Sequence, residues 1–172
     1  ELLAHSFFTT YGLPVLITRG ANAYGPNQYP EKFIPLAATN ILEDKKIPLY
    51  GDGLQVRDWT HVSDHAAAVD TVLRKGTIGE VYNFGASDTE TTNLSVAKTI
   101  LKELGKDESY IEYVKDRPGH DRRYRLNTDK IKALGWKTSV SFAQGLRETV
   151  AWYKENERWW KPLKSGEYLS YY

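Results

Sequence analysis

Two short runs, Leu13-Pro14-Val15-Leu16-Ile17-Thr18-Arg19 and Glu80-Val81-Tyr82-Asn83-Phe84-Gly85, have the pattern of strands buried on both faces. Such strands are stable when covered above and below, as in a parallel sheet flanked by helices. Helical patterns alternate with them. Leu3, Phe7, Phe8 and Tyr11 fall at helical spacing before Gly12, a natural stop. Residues 31–44 read as a helix with Pro35 near its start or kinking it. Ser63-Asp64 is expected to cap a helix with Ala66, Ala67, Val69, Val72 and Leu73 on a narrow apolar face, ending at Gly76. Leu94 to Leu104 reads as a helix, and Ser141-Phe142-Ala143-Gln144 has the form of a capping box opening a long helix towards Trp160.

Between these lie shorter pieces. Ile47 to Tyr50 reads as a strand running into the turn Gly51-Asp52-Gly53, and Gln55 to His61 as extended chain. Ile111 to Val114 alternates like a strand, and Thr128 to Leu134 is a short helix. Residues 21–30, 88–92 and 116–125 read as loops. Beyond Pro162 the tail is polar with tyrosines, among them Tyr168, Tyr171 and Tyr172. The alternation predicts an α/β fold: the last part of a doubly wound, Rossmann-like parallel sheet plus a smaller α+β region.

Composition limits what such a fold could do. At 172 residues and 41% hydrophobic content the chain can bury a real core. Its 23 lysines and arginines against 22 aspartates and glutamates argue against nucleic-acid binding by bulk charge. The absence of cysteine excludes disulfides, thiolate metal sites and a cysteine nucleophile, and fits a reducing cytoplasm. No apolar run reaches the ~18 residues that cross a bilayer. The histidines show no metal-ligand spacing, because the cap expected at Ser63-Asp64 starts a helix between His61 and His65. The first helix has no cap and no leader before it, and methionine is absent throughout, so the chain reads as a cut from a longer polypeptide.

The most unusual stretch is Asp116-Arg117-Pro118-Gly119-His120-Asp121-Arg122-Arg123-Tyr124-Arg125. Its arginines suit bidentate contacts to phosphate oxygens; internal Arg–Asp pairs would explain the same composition. Arg57-Asp58, after the glycine turn, is either a phosphate ligand with its orienting partner or a structural ion pair. Asn22 follows a parallel strand, where open α/β sheets bind ligands. Asn93 either contacts a ligand or caps its helix, and capping is the simpler reading. Trp152, Tyr153, Trp159 and Trp160 read as amphipathic-helix packing with outer rings left for a neighbouring surface. There is no Gly-x-Gly-x-x-Gly and no Walker loop.

These motifs, in order, are Pro14 to Arg19; Asn22-x-Tyr24-Gly25-Pro26-x-Gln28-x-Pro30-Glu31-Lys32; Tyr50-Gly51-Asp52-Gly53-x-x-Val56-Arg57-Asp58-Trp59; Gly79-Glu80-x-Tyr82-Asn83; the 116–124 run; and Leu134-Gly135-Trp136. Together they resemble the C-terminal half of the dTDP-glucose 4,6-dehydratase family, extended short-chain dehydrogenase/reductases acting on nucleotide sugars. The 116–124 run is the narrow signature. The resemblance implies that Asn22 touches the sugar nucleotide, that Lys32 and Phe33 open the helix facing the diphosphate, and that Pro48, Leu49 and Tyr50 border the nucleoside. It implies phosphate binding by Arg57, a nucleotide contact by Asn93, and a closing loop of Asp116, Arg117, Pro118, Gly119 and His120.

Ala23 stands where the family has an asparagine near the nicotinamide of NAD, and Gly20-Ala21 where a Cys-Ser pair is common. The family's glycine-rich NAD half and its Tyr-x-x-x-Lys, glutamate and aspartate catalytic groups precede the matched region, so no catalytic residue is expected here. Residues 1–46 would complete the Rossmann-like domain. Residues 47–172 would mainly bind a nucleotide-diphosphate sugar, with some segments returning to the sheet. The complete enzyme would be a cytoplasmic, NAD-dependent lyase and a homodimer, with no nucleic-acid or membrane partner. The fragment alone would be inactive and poorly soluble. The competing readings are a non-catalytic nucleotide-sugar binding module and a UDP-sugar epimerase, dehydratase or decarboxylase.

Overall fold

The computed structural model describes residues 1–86 and 91–166. Its centre is a set of parallel strand pairs. β1 (Ile17–Gly20) pairs with β6 (Val81–Phe84), the two runs expected to be buried. β2 (Asn22–Tyr24) pairs with β5 (Trp59–His61), and β3 (Ile47–Tyr50) with β8 (Ile111–Val114), all parallel. β4 (Val56–Arg57) pairs antiparallel with β7 (Thr91–Thr92). Residues 22–24 were expected in a loop. They are a strand because the chain changes partners at Ala21: its amide still bonds Phe84 O, whereas the Asn22 amide already bonds Asp58 O. That change of partner brings Asn22 out beside β4 and β5. Residues 91–92 likewise pair in a strand, and 88–90 lie outside the described residues.

α1 (Leu2–Tyr11), α2 (Phe33–Leu42), α3 (Val62–Lys75), α4 (Asn93–Glu103) and α5 (Asp129–Ala133) fall where the sequence pattern puts them. Helices α2 to α5 pack on the strands, whereas α1 buries no residue and exposes Leu2, Leu3, Phe7 and Tyr11. Pro35 occupies the first turn of α2, where its missing N–H costs nothing. Two apolar clusters result. One joins Ile34, Ala38, Ile47, Trp59, Val96, Ile100, Leu146, Tyr153 and Trp160; the other joins Ala68, Val72, Tyr82, Phe84, Ile131 and Trp136.

Several local expectations are corrected. The cap of α3 is His61, whose ring accepts from the Ser63 amide, so Ser63 and Asp64 are already helical. Asp64 is buried and accepts from the Ser139 and Val140 amides, tying α3 to the 139–140 segment. With Asp64 facing inward, the buried stripe runs through Ala68 and Val72 at i+4 spacing. Of the residues expected on the apolar face only Val72 is buried; Ala66, Ala67, Val69 and Leu73 are exposed, Leu73 by 72%. α4 is capped by Thr92, which accepts from the Ser95 amide, so Asn93 is released from that role.

Ser141 caps α6 (Phe142–Glu155), but Gln144 bonds Glu148 and leaves the box half made. The long helix breaks at Asn156, and α7 (Glu157–Ser165) carries Pro162 inside it. Trp160 Nε1 donates to Tyr153 O at 2.7 Å, folding α7 back onto α6. Tyr153 and Trp160 are buried, while Trp152 and Trp159 pack edge-on at the partly covered margin. Tyr168, Tyr171 and Tyr172 lie outside the described residues.

Candidate functional site

The elements converge on a cavity of about 410 Å³. Asn22 enters it from β2, Lys32 and Phe33 from the start of α2, and Pro48 and Tyr50 from β3. Arg57 comes from β4, Asn93 from the start of α4, and Arg117 and His120 from the 116–120 loop. Arginines separated by sixty residues of chain thus share one cavity. Lys32 adds a third cation and pairs with Glu31, the one carboxylate among the lining residues. The N-cap of α2 is Lys32 and supplies no side-chain hydrogen bond, so the first amides of that helix are free of a cap. Free amides and a positive dipole end favour anions.

Arg57 is only 6% exposed. Its Nη1 donates to Val56 O at 2.7 Å and its Nη2 to Asp121 O at 2.8 Å. Its Cζ lies 5.0 Å from the centre of the Tyr124 ring. Both hydrogen bonds go to carbonyls, and no carboxylate among the described residues neutralises the guanidinium. Asp58 is not its partner: alternation along the strand turns Asp58 to the other face, where it accepts from the Ala86 amide at 2.9 Å. Arg122 does pair with an aspartate, but one outside the loop: its Nη1 contacts both oxygens of Asp52 in the Gly51-Asp52-Gly53 turn.

The rim is organised by Asp116. Its Oδ1 accepts from the Arg117 amide at 2.8 Å and meets His120 Nδ1 at 2.6 Å, and its Oδ2 accepts from Gln55 Nε2 at 3.0 Å. The hydrogen bond from His120 is the main reason its carboxyl titrates below the ordinary aspartate value. Asn93 Oδ1 is buried with no hydrogen-bond partner. Tyr124 donates its hydroxyl to Asn22 Oδ1.

Four residues expected at this site do not line the cavity. Leu49 is 1% exposed and packs under the turn, where a Cβ on Gly53 would meet its Cδ2 at 2.3 Å. Strand alternation sends Pro48 and Tyr50 to the cavity and Leu49 to the core. Asp116, Pro118 and Gly119 shape the loop that carries Arg117 and His120. Ala23 lines a different recess of about 250 Å³, with Tyr24, Gly25, Pro26, Gln28 and Val62. Glu31, Leu36 and Trp59 also line the main cavity, and sequence reasoning missed them as site residues. Leu36 follows Phe33 by three on a helix, and Trp59 follows Arg57 by two in an extended run; both spacings are visible in the sequence.

Fold and cavity together define a Rossmann-like α/β protein with a cationic crevice beside its parallel strands. The pattern of the family described as GDP-mannose 4,6 dehydratase matches residues 1–149, and the chain belongs to that family. It is 51% identical over 168 residues to a dTDP-glucose 4,6-dehydratase from Streptomyces niveus, covering 97% of this chain and 50% of the relative. The solved dTDP-glucose 4,6-dehydratase from Bacillus anthracis, in complex with NAD, is 56% identical with a TM-score of 0.87, covering 94% of this chain and 51% of that one. The DesIV double mutant from Streptomyces venezuelae, a dTDP-glucose 4,6-dehydratase also solved with NAD, is 49% identical with a TM-score of 0.91, covering 94% and 50%. The chain therefore spans about half the length of the relatives it matches.

Proposed function

We propose that this chain is the substrate-binding half of an NAD-dependent dTDP-glucose 4,6-dehydratase, a lyase converting dTDP-glucose to dTDP-4-keto-6-deoxyglucose. Residues 1–46 end its Rossmann-like part and residues 47–172 mainly bind the sugar nucleotide, with Val81–Phe84 returning to the sheet. The complete enzyme works as a cytoplasmic homodimer. Among the described residues, no helix is long and apolar enough to cross a membrane.

One observation carries the reading: among the described residues the buried Arg57 has no carboxylate partner, and it shares a cavity with Arg117. A buried guanidinium is stabilised by a counter-anion, and a diphosphate offers oxygens to both arginines and to the uncapped α2 amides. Tyr50 and Pro48 wall the base. Asn93 Oδ1 is an acceptor suited to a pyrimidine imide N–H or a ribose hydroxyl. Asn22 faces the sugar side.

When bound, NAD would supply reversible hydride transfer to and from the sugar. This chain fits NAD at one edge only. The recess beside Ala23 is largely apolar, suiting the face of a planar ring. Ala23 offers a methyl, and its carbonyl already accepts from Gln28 Nε2 at 2.9 Å. The groups that move protons belong to the other half, so the chain by itself turns over nothing. The complete polypeptide carrying this sequence should convert dTDP-glucose to a 4-keto-6-deoxy product, whereas residues 1–172 alone should not. A 4-epimer product from a UDP-sugar would overturn the assignment.

A further inference from the structure

Tyr124 is assigned no role by the family motif or by the comparisons, yet it touches two walls of the cavity at once. The 122–124 segment runs beside β4: Val56 bridges Arg123 in parallel register, and the Val56 amide bonds Arg122 O at 2.8 Å. This lays the Tyr124 ring against the Arg57 guanidinium, 5.0 Å from Cζ to the ring centre. The same side chain donates its hydroxyl to Asn22 Oδ1 on β2.

We propose that Tyr124 is a positioning residue for the anionic ligand of this cavity, acting through Arg57 and Asn22. Arg57 spends one donor on Val56 O and one on Asp121 O, and the aromatic face fixes the plane of the remainder. With Asn22 Oδ1 occupied, the amide is turned so that Nδ2, which bonds no protein atom among the described residues, presents its hydrogens. A single side chain thus sets one planar cation and one amide donor in a fixed mutual orientation. Loss of the hydroxyl frees Asn22 to flip, and loss of the ring frees the guanidinium to rotate. Pre-organisation of this kind strengthens binding without direct contact.

The inference rests on the proposed reading of the cavity as a nucleoside-diphosphate site, and its test separates the two. In the complete polypeptide, dTDP binding is measured by calorimetry for wild type, Tyr124→Phe, Tyr124→Leu, Asn22→Ala and the Tyr124→Phe/Asn22→Ala double variant, with thermal melts alongside. Tyr124→Phe should weaken dTDP about threefold, and Tyr124→Leu about tenfold or more. In the Asn22→Ala background, Tyr124→Phe should cost nothing further, because its partner is gone. With dTDP-glucose, the variants should raise KM with kcat little changed. No dTDP binding by wild type would defeat the diphosphate reading itself. Wild-type binding with unaltered variants, or an undiminished Tyr124→Phe effect in the Asn22→Ala background, would overturn the role of Tyr124. Should Tyr124→Leu fail to fold, the Phe cycle decides alone.

Discussion

The floor and the rim of the cavity present arginine in opposite ways. At the floor, Arg57 is buried, held by two carbonyls and laid against a tyrosine ring. At the rim, Arg117 is exposed, and among the described residues only its backbone amide is tied down, through Asp116. A buried cation loses its hydration on folding and gains most from a counter-anion; an exposed one keeps its water and gains less. The floor should therefore set affinity and geometry, and the rim should set approach and closure.

The largest effect should come from the floor. Arg57→Ala should weaken dTDP on the order of a hundredfold, the scale at which truncating one partner of a buried charge pair acts. Calorimetry checks it, and a loss below threefold would erase the contrast. Arg117→Ala should cost about tenfold at low salt and less at high salt, since exposed charges are screened over ~10 Å at 0.1 M. Across ionic strength, the loss caused by Arg57→Ala should change less than the loss caused by Arg117→Ala, so that Arg117→Ala shows the flatter dependence of dTDP affinity on salt.

The smallest effect concerns the loop that holds the rim. His120 Nδ1, together with the Arg117 amide and Gln55 Nε2, holds the Asp116 carboxyl below its ordinary value of 3.8. A depressed carboxylate contributes order above its unfolded pKa and loses it as pH falls through the lower folded one. Loop protection, read by hydrogen exchange at the Arg117 amide, should stay flat from pH 7 to pH 5 and fade only below the ordinary aspartate range. Asp116→Ala should remove that protection at pH 7 and weaken dTDP by a few-fold. Equal protection in both proteins would show that other contacts hold the loop.

Much of this was legible in the residues. The apolar runs Leu13–Arg19 and Glu80–Gly85 do pair in parallel. The expected burial on both faces fails for the first: Ile17 and Thr18 are half-buried, and Leu13, Arg19 and Gly20 are exposed. Arg57, Arg117, Asn22 and Asn93 stand out in the sequence, and all four line one cavity. Leu49 belongs to the same motif as Pro48 and Tyr50, but strand alternation separates it from them. Whether Asn93 caps its helix depends on where that helix starts, and Thr92 takes the cap. The break at Asn156 has a weak signal: no glycine or proline marks it, but asparagine is itself favoured where helices end.

Tyr124 was visible only as a letter in a motif, because its two partners come from strands that meet through tertiary pairing.

If Arg57 and Arg117 grip one diphosphate, a crystal structure of the complete polypeptide soaked with dTDP should place phosphate oxygens within ~3 Å of both guanidinium groups, the range of charge-assisted hydrogen bonds. A diphosphate bound elsewhere, or touching neither arginine, would contradict it.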